Sequence, residues 1–451
     1  MAEFFPYLAG QLHTEAVPVA KIAAAIGTPF YLYSAAALTA RYRAFADAFL
    51  PRRPLVCYAV KANSNLAVLR LLASLGAGAD VVSEGELRRA LVAGIPRERI
   101  VFSGVGKTRA ELEAALAAGI HQINIESIPE MRRLSAVAAA LGATAPVAVR
   151  VNPDVDALTH AKIATGKKEN KFGIDIEDAP EAYRLAGDLP GIEPVGLALH
   201  IGSQLLSLDP FRQAFAHLAE LVVELRAAGC TVRRLDLGGG LGIRYHAERA
   251  PEPADYAAIV RQAFAGLDLE LACEPGRALV GPAGVLVARV VYVKDGATRR
   301  FVIVDAAMND LIRPALYDAW HDIVPVRLPA AGATISPADV VGPICETGDT
   351  FALDRELPPL AEDDLVAFTC AGAYGAVMSS TYNTRPLVPE VLVQGDRFAV
   401  IRARPSYDDM LACDAVPDWL GEAAQDQRPD RRPDQSPHQP KLRPLRRGGA
   451  S

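Results

Sequence analysis

LVCYAVKA (55–62), NLAVLRLLASLGA (65–77), ADVVS (79–83) and EGELRRALVAGI (84–95) follow one another near the start of the chain. The first and third are short apolar runs. The second and fourth place apolar residues three and four positions apart, and glycine falls near their ends. That pattern predicts strand, helix, strand, helix. Further along, IVFSG (100–104) precedes the helix-like TRAELEAALAAG (108–119), and QINIES (122–127) and PVAVRVNP (146–153) follow. PVGLALHI (194–201) precedes the long helical pattern DPFRQAFAHLAELVVELRAAG (209–229), and RRLDLGGG (233–240) and LELACEPGR (269–277) complete the series. The candidate strands number eight, and their apolar character suits parallel strands buried on both faces. The predicted fold is α/β, a (β/α)8 TIM-like barrel, with a doubly wound open sheet as the alternative for the same alternation.

After about residue 285 the texture changes. GVLVARVVYV (284–293), KDGA (294–297) and TRRFVIVDA (298–306) predict two strands around an Asp-Gly turn. ADVVGPI (338–344), DLVAFTCAG (364–372) and VLVQGDRFAVIRAR (391–404) continue the β character, and TPFYLYS (28–34) shares it. The predicted organisation is a barrel over 35–285 and a mostly β domain built from 1–34 plus 286–421. A disordered tail is predicted over 422–451, where Pro, Arg, Asp and Gln replace apolar periodicity. A net charge of −6 gives no reason to expect nucleic acid or an anionic membrane as partner. No apolar run approaches the roughly 20 residues of a membrane span, and MAEFFPYLAG has no signal-peptide pattern. The six cysteines form no CxxC pair and no metal-ligand spacing, which favours reduced thiols and a cytoplasmic location over a disulfide framework.

Distinctive polar residues fall where the predicted barrel strands end: Lys61, Asn152, His200, Gly238–Gly240 and Glu274–Arg277. Active sites of such barrels lie on that rim, so the fold would gather these residues around one cavity. A lysine closing an apolar strand is costly unless deprotonated or used covalently, and a desolvated, neutral amine forms Schiff bases. The bland reading of Lys61 is a strand-end lysine reaching solvent. Gly238, Gly239 and Gly240 would let backbone N–H groups approach a phosphate, or would be an ordinary turn. An imine-forming lysine opposite a phosphate cradle points to pyridoxal 5′-phosphate. Glu274 would then hold the pyridine nitrogen protonated, its bland alternative being a salt bridge to Arg277. His200 would lie against a planar cofactor or hydrogen-bond to it.

YAVKAN (58–63), THAKIATGKKENKFGID (159–175), HIGSQ (200–204), LDLGGGLG (235–242), CEPGR (273–277), GPICETGD (342–349) and CAGAYG (370–375) resemble the ordered motif set of the diaminopimelate decarboxylase family. This belongs to the alanine-racemase-like (fold-type III) pyridoxal phosphate enzymes, and the resemblance spans about residues 28–420. It implies that Lys61 forms the Schiff base, that His200 stacks on the ring and that Glu274 pairs with the pyridinium. It also implies that Ser203 and Gly238–Gly240 surround the phosphate, with Pro275, Gly276, Arg277 and Tyr374 completing the cofactor site. Cys345 and Glu346 would be delivered across a homodimer interface into the neighbour's site, with Cys345 as proton donor. Arg313 and Tyr317, in RPALYD (313–318), match the family's substrate-binding residues. Arg277, Glu346 and Tyr374 would join them around a small-molecule diamino acid.

The implied reaction is decarboxylation of meso-diaminopimelate to L-lysine and CO2, the last step of lysine biosynthesis. The alternatives are an ornithine- or arginine-type decarboxylase of the same fold and a non-catalytic pyridoxal phosphate-binding protein. Alanine racemase chemistry is disfavoured by a ring-protonating Glu274. The charged run GKKENK (166–171) is expected in a loop after the fifth strand that closes over the site.

Overall fold

In the computed structural model, residues 3–420 are described, apart from 158, 161, 162, 164 and 167–169. Eight parallel strands run Leu55–Ala59, Gly78–Val81, Ile100–Phe102, Gln122–Ile125, Ala145–Asn152, Ile192–Leu199, Arg234–Asp236 and Glu270–Cys273. Each pairs with its neighbours in chain order, and Ala272 and Cys273 pair with Leu55 and Val56, which closes the barrel. The doubly wound alternative is thereby excluded. The strands are shorter than the apolar runs suggested, because glycine- and proline-containing ends such as GGG and EPG leave the ladder as loop.

The four quoted helical patterns form helices at Leu66–Ser74, Glu84–Val92, Arg109–Ala118 and Asp209–Ala227, and the helix ends have identifiable causes. Thr108 and Glu111 form a reciprocal capping box for Arg109–Ala118, which stops at left-handed Gly119. Ser127 caps Ile128–Leu141, which ends at left-handed Gly142. Outside the barrel, Tyr256 packs among Phe45, Phe49, Phe211 and Phe215, with its ring 5.1 Å from that of Phe211 and nearly perpendicular to it. Such edge-on aromatic packing locks helices to one another and to the barrel wall.

The strand Gly284–Asp295 links the barrel to the β region. Its first half pairs with Phe30–Ser34 and Leu365–Phe368, and its second half turns back onto Arg300–Val304. Phe30–Ser34 also lies parallel to Glu390–Gln394, which reverses into Arg397–Arg402. The N-terminal TPFYLYS segment therefore sits inside the second sheet, as its β character suggested. Among the described residues, those up to 404 form one compact unit, and 405–420 belong to a second. That second unit carries a short helix, Tyr407–Leu411, boxed by Ser406 and Asp409. The tail over 422–451 lies outside the described residues, as does part of GKKENK. Among the described residues, no helix is long and apolar enough to cross a membrane.

Candidate active site

The site grows from the C-terminal ends of the barrel strands. The first strand stops at Ala59, and Lys61 lies in the one-turn 3-10 helix Val60–Ala62 rather than on the strand itself. This turn aims the side chain across the barrel mouth, where Nζ lies 2.6 Å from Oδ2 of Asp80 on the second strand. About a third of the Lys61 side chain remains open, to the cavity rather than to the outer surface, whereas Asp80 is fully buried. Burial by itself would lower the lysine pKa, but Asp80 and Glu274 together outweigh it and hold the group as an ammonium. This corrects the expectation of a neutral amine set by desolvation. The expectation counted burial and missed Asp80.

Glu274 follows the eighth strand and is buried. Its Oε1 accepts from the Ser103 hydroxyl at 3.2 Å and lies 3.5 Å from the Asn124 amide nitrogen. The same Asn124 nitrogen donates to Asp236 at 2.9 Å, so one amide lies between the two buried carboxyl groups. Burial, then the charges of Asp236 and Asp80, push Glu274 well above the usual carboxylate range, and Lys61 opposes this only in part. Three carboxyl groups thus face one ammonium at the floor of the site. A protonated ring nitrogen would balance that excess.

Elsewhere along the same cavity wall the imbalance is reversed. Arg277 donates from Nη1 to the Tyr245 hydroxyl at 2.6 Å and from Nη2 to Ser203 at 3.0 Å, while its Nε has no partner. Arg313 stacks 4.7 Å from the centre of the Tyr245 ring. Both guanidiniums are buried, and among the described residues neither has a carboxylate partner. Burying two unpaired cations is strongly unfavourable unless an anion joins them.

A cavity of about 740 Å³, within the range of small-molecule sites, brings together Lys61, His200, Ser203, Glu274, Arg277, Arg313, Tyr317 and Tyr374. Gly238, Gly239, Gly240, Pro275 and Gly276 line a smaller recess that shares Lys61, His200, Glu274 and Tyr374 with it. A Cβ at Gly239 would come within 2.3 Å of the Glu274 carbonyl oxygen, so no side chain fits where the backbone must pass. The Gly239 N–H donates to Nδ1 of His200 at 3.1 Å, which leaves the imidazole proton on Nε2. Burial, with Arg150 and Lys61 nearby, pushes the His200 pKa well below its ordinary value, so the ring is neutral. An aldehyde-bearing, phosphorylated pyridine fits this set: an amine, a ring-nitrogen carboxyl, a flat neutral imidazole, a glycine cradle and a guanidinium.

Cys345 and Glu346 do not line this cavity. They are exposed on the loop between Ser336–Val341 and Thr350–Leu357, not within a strand, and Glu346 accepts from the Tyr382 hydroxyl. The residues missed by the sequence reading are Asp80, Asn124, Asp236, Tyr245 and His321. The first three carried the same signal as Lys61, a polar residue inside an apolar strand.

The closed barrel, and a cavity whose lysine, glycine turn and buried carboxyls fit a phosphorylated pyridine aldehyde, point to the pyridoxal phosphate-dependent amino-acid decarboxylases. A family model described as "Pyridoxal-dependent decarboxylase, pyridoxal binding domain" matches residues 35–281. Diaminopimelate decarboxylase of Pseudomonas aeruginosa is 53% identical over 408 residues, which is 90% of this chain and 98% of the relative. That of Zymomonas mobilis is 49% identical over 417 residues, 91% of this chain and 98% of the relative. Among solved structures, diaminopimelate decarboxylase from Helicobacter pylori complexed with L-lysine is 44% identical with a TM-score of 0.84, covering 87% of this chain and 98% of that one. The enzyme from M. jannaschii in co-complex with L-lysine is 37% identical with a TM-score of 0.88, covering 93% and 99%. The chain belongs to the diaminopimelate decarboxylase family.

Proposed function

We propose that this chain converts meso-diaminopimelate to L-lysine and CO2 with pyridoxal 5′-phosphate, as a cytoplasmic homodimer. The observation that carries the reading is the pair of buried guanidiniums, Arg277 and Arg313, without carboxylate partners beside Lys61. Ornithine ends in an ammonium alone, whereas diaminopimelate also carries a distal carboxylate. Arginine's planar fork suits such a group.

When bound, pyridoxal phosphate supplies an aldehyde that captures amines and a protonated ring that accepts the electron pair left by departing CO2. The protein's residues do the rest. Lys61 Nζ anchors the cofactor and yields its place to the substrate amine. Glu274 would keep the ring nitrogen protonated, with Asn124 linking it to Asp236. His200 packs against the ring, and as a neutral group it adds no competing charge. Ser203, Gly238, Gly239, Gly240, Pro275, Gly276 and Arg277 hold the phosphate end, with Tyr374 closing the site. Arg277 also joins Arg313 and Tyr317 in receiving the distal carboxylate.

Exposure of Cys345 and Glu346 supports their entry into a second subunit's cavity, where Cys345 Sγ, or Lys61 Nζ, returns a proton to the carbon that lost CO2 and Glu346 takes the distal ammonium. Six free cysteines suit a reducing compartment. We assign the barrel domain to 35–285 and the β domain that completes the site to 1–34 plus 286–421, its site residues Arg313, Tyr317 and Tyr374 all lying before 405.

The test is CO2 release from meso-diaminopimelate, ornithine, arginine and lysine with cofactor added. Diaminopimelate is expected to be preferred over ornithine by about 10⁴-fold in kcat/KM, the scale of polar mismatch in a buried site. Comparable turnover of ornithine rejects the substrate reading, and cofactor binding with no CO2 from any diamino acid favours a non-catalytic binder. Shared sites have their own test. Lys61→Ala and Cys345→Ala variants, each inactive, should regain partial activity after subunit exchange. Proven exchange without recovery would count against cross-subunit delivery.

A further inference from the structure

Arg313 is buried, cationic and without a carboxylate partner, yet it needs a fixed orientation to recognise a planar carboxylate. The residue that supplies one is His321, in the irregular segment ahead of strand Ile323–Pro325. Its Nε2 lies 2.8 Å from Arg313 Nη1, and its Nδ1 lies 2.7 Å from the Thr369 carbonyl oxygen. A guanidinium can only donate and a carbonyl can only accept. One neutral tautomer, with the proton on Nδ1, satisfies both.

His321 is itself held on several sides. It is 1% exposed, its ring packs edge-on to Tyr245 at 5.3 Å, and its carbonyl oxygen accepts from Arg355 at 2.8 Å. Arg355 in turn stacks 3.5 Å from the Trp320 ring centre. Burial and the nearby Arg313 charge lower the His321 pKa to about 3, which keeps Nε2 an acceptor throughout the working range. His321 does not line the cavity, so it reaches substrate only through Arg313.

We infer that His321 is a positioning residue for substrate recognition, a neutral acceptor that orients the Arg313 guanidinium while leaving its full positive charge for the ligand's distal carboxylate. An aspartate or glutamate in its place would orient the arginine equally well but would neutralise it. This inference rests on the assignment of Arg313 to the distal carboxylate, and the experiment separates the two.

His321→Leu, His321→Gln, His321→Asn, Arg313→Met and the Arg313→Met/His321→Leu double variant are compared in the holoenzyme with diaminopimelate. Leu removes the acceptor, Gln keeps one at the reach of Nε2, and Asn keeps only the shorter reach of Nδ1. The Leu and Asn variants should raise KM about 10- to 100-fold, the scale of a lost hydrogen bond to a charged group, with kcat within about twofold. Gln should restore KM to within about threefold of wild type. The double variant should be no worse than Arg313→Met alone, because both changes remove one interaction. If Gln and Asn behave alike, or if the double variant shows additive losses, His321 acts only through general packing and the inference fails. If Arg313→Met leaves KM unchanged, the assignment of Arg313 fails, and with it the basis for the role of His321.

Discussion

Replacing Lys61 by alanine or by arginine lowers CO2 release by about 10⁴-fold, the upper range for loss of a positioned reactive group. The two variants differ in everything else. Lys61 is the only lysine among the described residues lining the cavity. Arginine keeps a cation beside Asp80 but stays protonated and cannot form an imine. Alanine removes the cation and leaves Asp80 fully buried, with Oδ1 already lacking a hydrogen-bond partner. Alanine should therefore cost the apoprotein about 1–3 kcal/mol, below the usual figure for breaking a fully buried pair because the cavity admits water, while arginine stays near wild type. Borohydride should fix pyridoxal phosphate to the wild-type chain at Lys61 and to neither variant. Thermal unfolding of the apoproteins measures the difference in stability. Substantial activity in Lys61→Arg, or covalent trapping at another residue, would remove Lys61 from its role.

The barrel was readable because its strands are buried on both faces. Against eight apolar runs, Lys61, Glu274 and the Gly238–Gly240 turn stand out, and closure of the barrel brings their strand ends to one rim. Asp80, Asn124 and Asp236 sent the same signal and were passed over, since acidic and amide residues in short strands look like strand boundaries. That omission reversed the predicted charge of Lys61. Burial favours the free amine, but a carboxylate at 2.6 Å outweighs it. Tyr245 and His321 lie in irregular segments without periodicity. Tyr245 matters because it packs between Arg277 and Arg313, residues 36 positions apart, and His321 because it meets Arg313 and Tyr245; nothing local in the sequence joins these residues. Cys345 and Glu346 rest on family resemblance, because their proposed partners belong to another subunit. The long strand Gly284–Asp295, shared between two sheet regions, had a readable β pattern, but its pattern did not reveal the division of its pairing.

Glu274→Gln should trade function for stability. Glutamine keeps the shape of the side chain and an acceptor for Ser103 and Asn124, but it cannot hold a negative charge against a ring nitrogen. The expected loss in kcat is about 10²- to 10³-fold, the scale of removing one preorganised charge-stabilising group, with KM little changed. The apoprotein should respond in the opposite direction. Burial and the charges of Asp236 and Asp80 raise the folded pKa of Glu274 above its unfolded value. The folded chain then binds the proton more tightly than the unfolded chain. The resulting stability is complete below the unfolded pKa and is lost as pH rises through the folded pKa. Relative to Glu274→Gln, wild-type apoprotein should accordingly lose unfolding temperature between pH 5.5 and pH 8; the buried neutral His121, His200 and His321, whose lowered pKa values cost stability as pH falls through their ordinary range, act on both proteins alike. Glu274→Gln should flatten part of that slope and raise the unfolding temperature at pH 8. Other buried acids, including Glu86 and Asp310, are also raised, to about 7 and about 6, so some slope remains. Added cofactor should narrow the gap between the two proteins at pH 8, because a protonated ring nitrogen gives the wild-type carboxylate its partner. A variant that keeps wild-type kcat, or whose apoprotein is less stable than wild type at pH 8, would show that Glu274 is a structural acid rather than the group that charges the ring.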